Sequence, residues 1–434
     1  MKIYRLSALF ALLTASLMLA GCAQLPFLSK KPEPTVVVRE IPEPAPPVPE
    51  AEPALPEPSP APPTIFTPPV DRFAVGCVLP LSGRHAEAGQ RALEAFLLSA
   101  GTFNPRFSSP WKLIVEDFQD STLSVRAAIE RLAQAGNVMA IIAVVGTAEA
   151  LDAAQEAEIR QVPLILITSR EGVTQDKEYV FQHFLTPSQQ VRSVARYALD
   201  SLNVAVFSIL YPDDDYGAEM IALFRSEVQK IGGKVDKAIP YGKSQTDFTQ
   251  QINEITDGRI QKQKEMYART PEIKPNLSLP FEALFIPDSH FRVRMIAAQL
   301  AFYDVTNIAL VGTSLWHSPD LLKKDAEYVE GAVFADSFSI TSYLPETNDF
   351  IDIYYAQYRR EPGNLEALAY DTMEMTLHIL EDQAVQTRAD FVKALLSVDR
   401  HRGATGMTSF NGEHVAQKTP FILRIRNGKI VQVK

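Results

Sequence analysis

The chain has 434 residues with 42 Lys and Arg against 52 Asp and Glu, and its formal charge of −10 argues against a nucleic acid or an anionic lipid surface as the main partner. At 46 % apolar and 22 % charged residues the composition is that of a globular chain, long enough for one large or two ordinary domains. Two cysteines exclude a disulfide framework and a cysteine-based zinc cluster.

Lys2 and Arg5 precede an apolar run from Leu6 to Ala20 that is too short to span a bilayer as a helix, so residues 1–21 read as a secretory signal. Leu19-Ala20-Gly21-Cys22 resembles the bacterial lipobox. That resemblance implies that the Cys22 thiol is acylated and becomes the first residue of the mature chain, held to a membrane by more than one acyl chain. Ala23, where an Asp would favour the inner membrane, implies the periplasmic side of the outer membrane. Sixteen of the 31 prolines lie between Pro26 and Pro69, so residues 22–70 are expected to be a disordered, polyproline-type linker. About 45 residues at roughly 3.1 Å each reach on the order of 140 Å when extended. A reaching arm and a passive stalk both fit that composition.

From Phe73 the pattern changes. Phe73 to Leu79 is a continuous apolar run, as in a strand buried on both faces, and it ends at Pro80 and Ser82-Gly83. A helix is expected from about Glu87. Strands at 112–116, 138–145 and 162–167 then alternate with helices at 121–135 and 149–160, which is βαβ winding around a parallel sheet. After the stretch 181–187 a second series begins. Helices are expected at 189–201, 215–231, 247–257 and 290–302, with strands at 204–211, 234–240, 283–286 and 308–311. Cys77, inside the first strand, reads as a small buried apolar residue. The polar stretch 259–280, which contains Pro271 and Pro275, is expected to be an exposed insertion. The fold class is therefore α/β, with two doubly wound parallel-sheet lobes.

The order and spacing of the segments at 75–96, 162–170, 207–235, 282–290, 310–322, 330–338, 368–375 and 402–414 resemble the type I periplasmic binding proteins of the leucine-binding class, over essentially all of residues 71–434. The lipobox, the proline-rich stretch, Phe285-Ile-Pro-Asp-Ser-His290 after an insertion and Gly312-Thr-Ser-Leu-Trp316 together resemble the penicillin-binding-protein activator lipoproteins more than the transporter components. The resemblance implies two lobes joined by three crossovers, one of about 71–186 plus 338–398 and one of about 187–337 plus 399–434. Between them it implies a ligand cleft at the carboxyl ends of the strands, where open parallel sheets bind ligands. The cleft candidates are Ser82, Thr147, Glu149, Thr168, Ser169, Tyr216, Asp288, Ser314, Trp316 and Asp336.

Amino-acid binders of this class place a serine shortly after the glycine that ends the third strand and an acidic residue shortly after the glycine at 312. Here Glu149 stands near the first position and Ser314 near the second, so the ligand carboxylate would meet a like charge and its ammonium no partner. No phosphate loop, metal-binding His-Glu pattern or nucleophile elbow is present, and the seven histidines show no metal-ligand spacing. Ser109 and Lys112 spell Ser-x-x-Lys, but Pro110 prevents the helical turn that would join them. A non-catalytic chain without cofactor or metal is expected. Three roles remain open: an outer-membrane lipoprotein that stimulates a peptidoglycan synthase, a solute-binding subunit of an ABC importer for amino acids or amides, and a ligand sensor.

Overall fold

Strand β1 (Asp71–Leu79) shows how the first lobe is built: Val75, Cys77 and Leu79 enter the apolar core on one face of the sheet, while Ala74 and Val78 enter the core on the other. The structure, a computed structural model, describes residues 69–103, 109–119, 121–269, 278–323 and 326–434. The expected signal peptide, Cys22 and the proline-rich stretch up to residue 68 lie outside the described residues. After β1 come α1 (Ala86–Ser99), β2 (Lys112–Asp117), α2 (Thr122–Gln134), β3 (Val138–Val144), α3 (Ala150–Ile159), β4 (Leu164–Ile167) and β5 (Val180–Gln182). They form a five-stranded, all-parallel sheet in the order β2-β1-β3-β4-β5. Burial within β1 pushes the Cys77 thiol up to about 12, so it stays protonated and inert.

The second lobe opens at α4 (Pro187–Leu202), started by a reciprocal cap between Thr186 and Gln189 with Pro187 in the first turn. It continues through β6 (Val206–Pro212), α5 (Asp215–Lys230), β7 (Lys234–Tyr241), α6 (Thr249–Ile255), α7 (Arg259–Arg269), β8 (Ala283–Phe285), α8 (His290–Phe302), β9 (Ala309–Gly312) and β10 (Val333–Asp336). The chain then returns to the first lobe with α9 (Pro345–Tyr358), α10 (Asn364–Glu381), α11 (Arg388–Leu396), β11 (His401–Gly403), β12 (Gly406–Ser409) and β13 (Gln417–Lys418). It crosses a third time to end with β14 (Phe421–Arg426) and β15 (Lys429–Gln432) on the second lobe. There the sheet order is β15-β14-β10-β9-β8-β6-β7.

Three features depart from the sequence expectations. The second sheet is mixed, because β14 runs antiparallel to β10 and turns back into β15. The segment 399–418, expected with the second lobe, packs on the first: Phe410 meets the Phe181 ring edge-on at 5.7 Å, His414 stacks on it at 4.6 Å, and Gln182 exchanges backbone hydrogen bonds with His414 and Ala416. The stretch after 258 begins as helix α7 rather than as exposed loop, anchored by Ile260 and Gln263, 3 % and 5 % exposed.

In each lobe one helix is set directly on the end of the strand before it, α1 on β1 and α5 on β6. A Cβ at Gly89 of α1 would lie 2.2 Å from the Pro80 carbonyl oxygen, and one at Gly217 of α5 would lie 2.0 Å from that of Pro212. Only glycine permits this approach.

Candidate functional site

Between the lobes, the carboxyl ends of the strands and the loops that follow them line a cleft of two chambers, about 740 Å³ each, that share Phe184, Gln190 and Ser314 as a common wall. The first chamber takes Thr147, Ser169, Arg170 and Glu171 from the first lobe. Opposite them stand Asp215, Tyr216, Glu219, Thr313 and Leu315 of the second. Four of the residues expected from sequence, Thr147, Ser169, Tyr216 and Ser314, therefore meet here.

Local bonding explains how these groups are held. Gln182, 1 % exposed at the end of β5, donates through Nε2 to the carbonyls of Thr168 (2.8 Å) and Arg170 (2.9 Å) and so fixes the loop after β4. Asp214 caps α5 by accepting from the Gly217 N–H at 2.8 Å. Burial pushes the Asp214 carboxyl up, but bonds from the Gly217 N–H and from Lys243, 3.1 Å away, outweigh it and hold the group below its usual range. Tyr216, in the first turn of α5, has its phenol pushed up to about 12 by burial, so it remains neutral. Gln190 accepts the Ser314 N–H at 2.9 Å and thereby fixes the loop after β9. The Thr313 side chain is 2 % exposed and stands beside the Tyr216 phenol as its side-chain hydrogen-bond partner.

The other expected residues fall elsewhere. Trp316 is no cleft residue: it is fully buried under Gly312, donates from Nε1 to the Ile286 carbonyl at 3.1 Å and belongs to the second lobe's core. The Thr168 side chain is 3 % exposed and accepts from the Arg170 N–H at 3.3 Å. Asp288 accepts the Tyr241 hydroxyl at 2.7 Å and Ser82 donates its N–H to Asp117 at 3.3 Å, and neither lines a chamber. Glu149 is also absent from both walls, because its carboxylate lies back over Gly146. Asp336 lines the second chamber, where it binds His317. Sequence reasoning missed Arg170, Gln190, Thr313 and His317; Arg170, Thr313 and His317 lie inside segments that carry the family resemblance, but nothing in those segments marks their side chains as facing the cleft. Among the described residues no group of three or more His, Cys, Asp or Glu could hold a metal ion.

A family described as periplasmic binding protein matches residues 73–429, and the chain belongs to that family. No curated protein matches the chain. Among solved structures, a Rhodospirillum rubrum protein assigned to branched-chain amino acid ABC transport is 20 % identical with a TM-score of 0.73, covering 83 % of this chain and 99 % of its own. The branched-chain amino acid transporter substrate binding protein of Streptococcus pneumoniae, in complex with isoleucine, is 21 % identical with a TM-score of 0.60, covering 83 % and 99 %. A solute binding protein of an ABC transporter from Rhodopseudomonas palustris, in complex with 3,4-dihydroxybenzoic acid, is 18 % identical with a TM-score of 0.62, covering 83 % and 96 %. At such identities the likeness is one of fold: this is a type I periplasmic binding protein with the architecture of the leucine-binding proteins.

Proposed function

We propose that the chain is a non-catalytic solute-binding protein of the periplasm whose lobes close on a small polar molecule, in the manner of the ABC-transporter proteins that share its fold. The observation that carries this reading is the set of polar side chains that the two lobes bring to the first chamber, Thr147, Ser169 and Arg170 of one facing Asp215, Tyr216, Glu219 and Thr313 of the other. Within it the Arg170 guanidinium and the Asp215 and Glu219 carboxylates form no ion pair among the described residues, leaving both charge signs free for a ligand.

Calorimetric titration of the full chain tests the reading. A ligand found this way is expected to bind about tenfold more weakly to Thr313→Val, the loss of roughly one hydrogen bond. An unchanged affinity would remove Thr313 from the site. Leucine, isoleucine and valine are expected to bind no tighter than about 1 mM, because the serine that receives the carboxylate in the family pattern is missing after Gly146, the acid that receives the ammonium is missing at Ser314, and Glu149, turned back over Gly146, supplies neither. At its dissociation constant a ligand adds only about 0.4 kcal/mol of stability, so the melting temperature should not move. A micromolar constant for any of the three would show that other contacts compensate.

A second reading, stimulation of a peptidoglycan synthase from a lipid anchor on the outer membrane, is favoured by the lipobox and the proline-rich stretch. Among the described residues no helix is long and apolar enough to cross a membrane. Cys22→Ser removes the thiol that the lipobox would acylate and is expected to release the protein from the membrane fraction; unchanged fractionation would refute a lipid anchor. A pull-down from envelope membranes that returns a synthase would support this second role.

A further inference from the structure

We infer that a pocket outside the cleft, between the second and third crossovers of the chain, is a separate small-molecule site that takes an uncharged aromatic molecule. It shares no lining residue with either chamber, so it does not depend on what the cleft binds. The pocket holds about 460 Å³, within the roughly 300–1,000 Å³ usual for a ligand site. Both lobes and the segments that join them supply its apolar wall. Tyr343 and Leu344 come from the crossover after β10, Pro345 from the start of α9, Met407 from β12, Pro420 from the crossover after β13 and Phe421 from β14.

The first lobe's side of the pocket is held by buried bonds. Asp371, 1 % exposed, accepts the Ala404 N–H at 2.7 Å and the Thr405 N–H at 2.8 Å, which fixes the turn between β11 and β12. Thr347 of α9, fully buried, donates its hydroxyl to the Ala404 carbonyl at 2.8 Å and ties α9 to the same turn. Gly406 in that turn has φ 80°, and a Cβ there would lie 3.0 Å from the Phe421 ring, so its missing side chain lets the second lobe's wall approach. A site built in advance loses little to ordering when a ligand enters. Tyr343 is left 63 % exposed, and a ring so placed offers its face to another ring. The charges on the wall select against an ion. Glu346 and Arg402 stand 3.6 Å from each other, and Lys434 is exposed to water, so a charge carried in among the apolar side chains would find no buried partner.

Calorimetry and backbone hydrogen exchange on the full chain, with 2-naphthol as probe, test the site. The probe is expected to bind with a dissociation constant of about 0.1 mM, and 2-naphthoate and 2-naphthylmethylammonium at least about tenfold more weakly. Exchange should slow at 343–346, 402–407 and 419–421 and stay unchanged in the cleft loops at 169–171 and 313–315. Tyr343→Ser, at an exposed position, should weaken binding about fivefold without moving the melting temperature, and Thr313→Val should leave binding unchanged. Slowing confined to the cleft loops, or binding lost in Thr313→Val, would put the probe in the chambers; that overturns this site and leaves the solute-binding reading standing. Absence of binding at about 1 mM, or binding with no slowing at the three segments, an adventitious additive only, overturns it too. Equal binding of either charged analogue would overturn the assignment to an uncharged molecule.

Discussion

Asp371→Ala is expected to cost about 3–5 kcal/mol of folding stability, the range for breaking a buried charged network by removing one partner. Asp371, 1 % exposed on α10, accepts the Ala404 N–H at 2.7 Å, the Thr405 N–H at 2.8 Å and the Thr405 hydroxyl. The same hydroxyl oxygen accepts from Lys418 Nζ at 2.8 Å, and that ammonium also donates to Thr408 at 2.8 Å and to His183 Nε2 at 3.2 Å. Alanine would orphan two backbone N–H groups and leave the Lys418 charge buried without its counter-ion. Burial already pushes Lys418 down to about 8 against the opposing charge of Asp371. Without that charge the pKa falls further. A lysine whose native pKa lies below its unfolded value loses stability as pH drops through the gap, so the variant's deficit should be larger at pH 6 than at pH 9. Thermal melting at the two pH values measures both effects. A variant within about 1 kcal/mol of wild type at both would show that the 399–418 segment does not depend on this carboxylate for its place on the first lobe.

Trp316→Ala is expected to cost a similar amount, about 3–5 kcal/mol, because it empties a fully buried ring site. The ring fills the space under Gly312, where a Cβ would lie 2.1 Å from it, and packs 6.2 Å from the Phe334 ring. Neither Gly312 nor Phe334 can collapse far into the void. Denaturant unfolding should show a lower midpoint with an unchanged slope. A wild-type midpoint together with weakened ligand binding would instead return Trp316 to the cleft.

These two residues mark where the sequence was legible and where it was not. Strands β1 to β4 and β6 to β9 were legible, most clearly where a parallel strand buried on both faces is a continuous apolar run, as in β1 and in β3, which is buried from Val138 to Val144; β5, β10, β14 and β15 were not among the expected strands. Trp316 misled because it follows a cleft loop in sequence. What takes it inward is the absent side chain at Gly312, a matter of three-dimensional space that no periodicity records. The 399–418 segment misled for a related reason: its partners Phe181, His183 and Asp371 lie far away in the chain, and only the packed structure joins them. The His317–Asp336 pair was equally hidden. Parallel pairing of β9 with β10 places their ends side by side, and residues 19 apart then share one hydrogen bond. Tyr216 and Ser314 were legible because each follows directly on a strand end or helix start, where a parallel sheet exposes its loops to ligand.

Native mass spectrometry of the protein isolated from its own cells tests the solute-binding account most directly. Capture of a small molecule between the lobes predicts a second population heavier than the unliganded protein by a few hundred daltons, lost on gentle activation and reduced by Thr313→Val. A single population at the mass of the unliganded chain, with a peptidoglycan synthase co-purifying in its place, would contradict it.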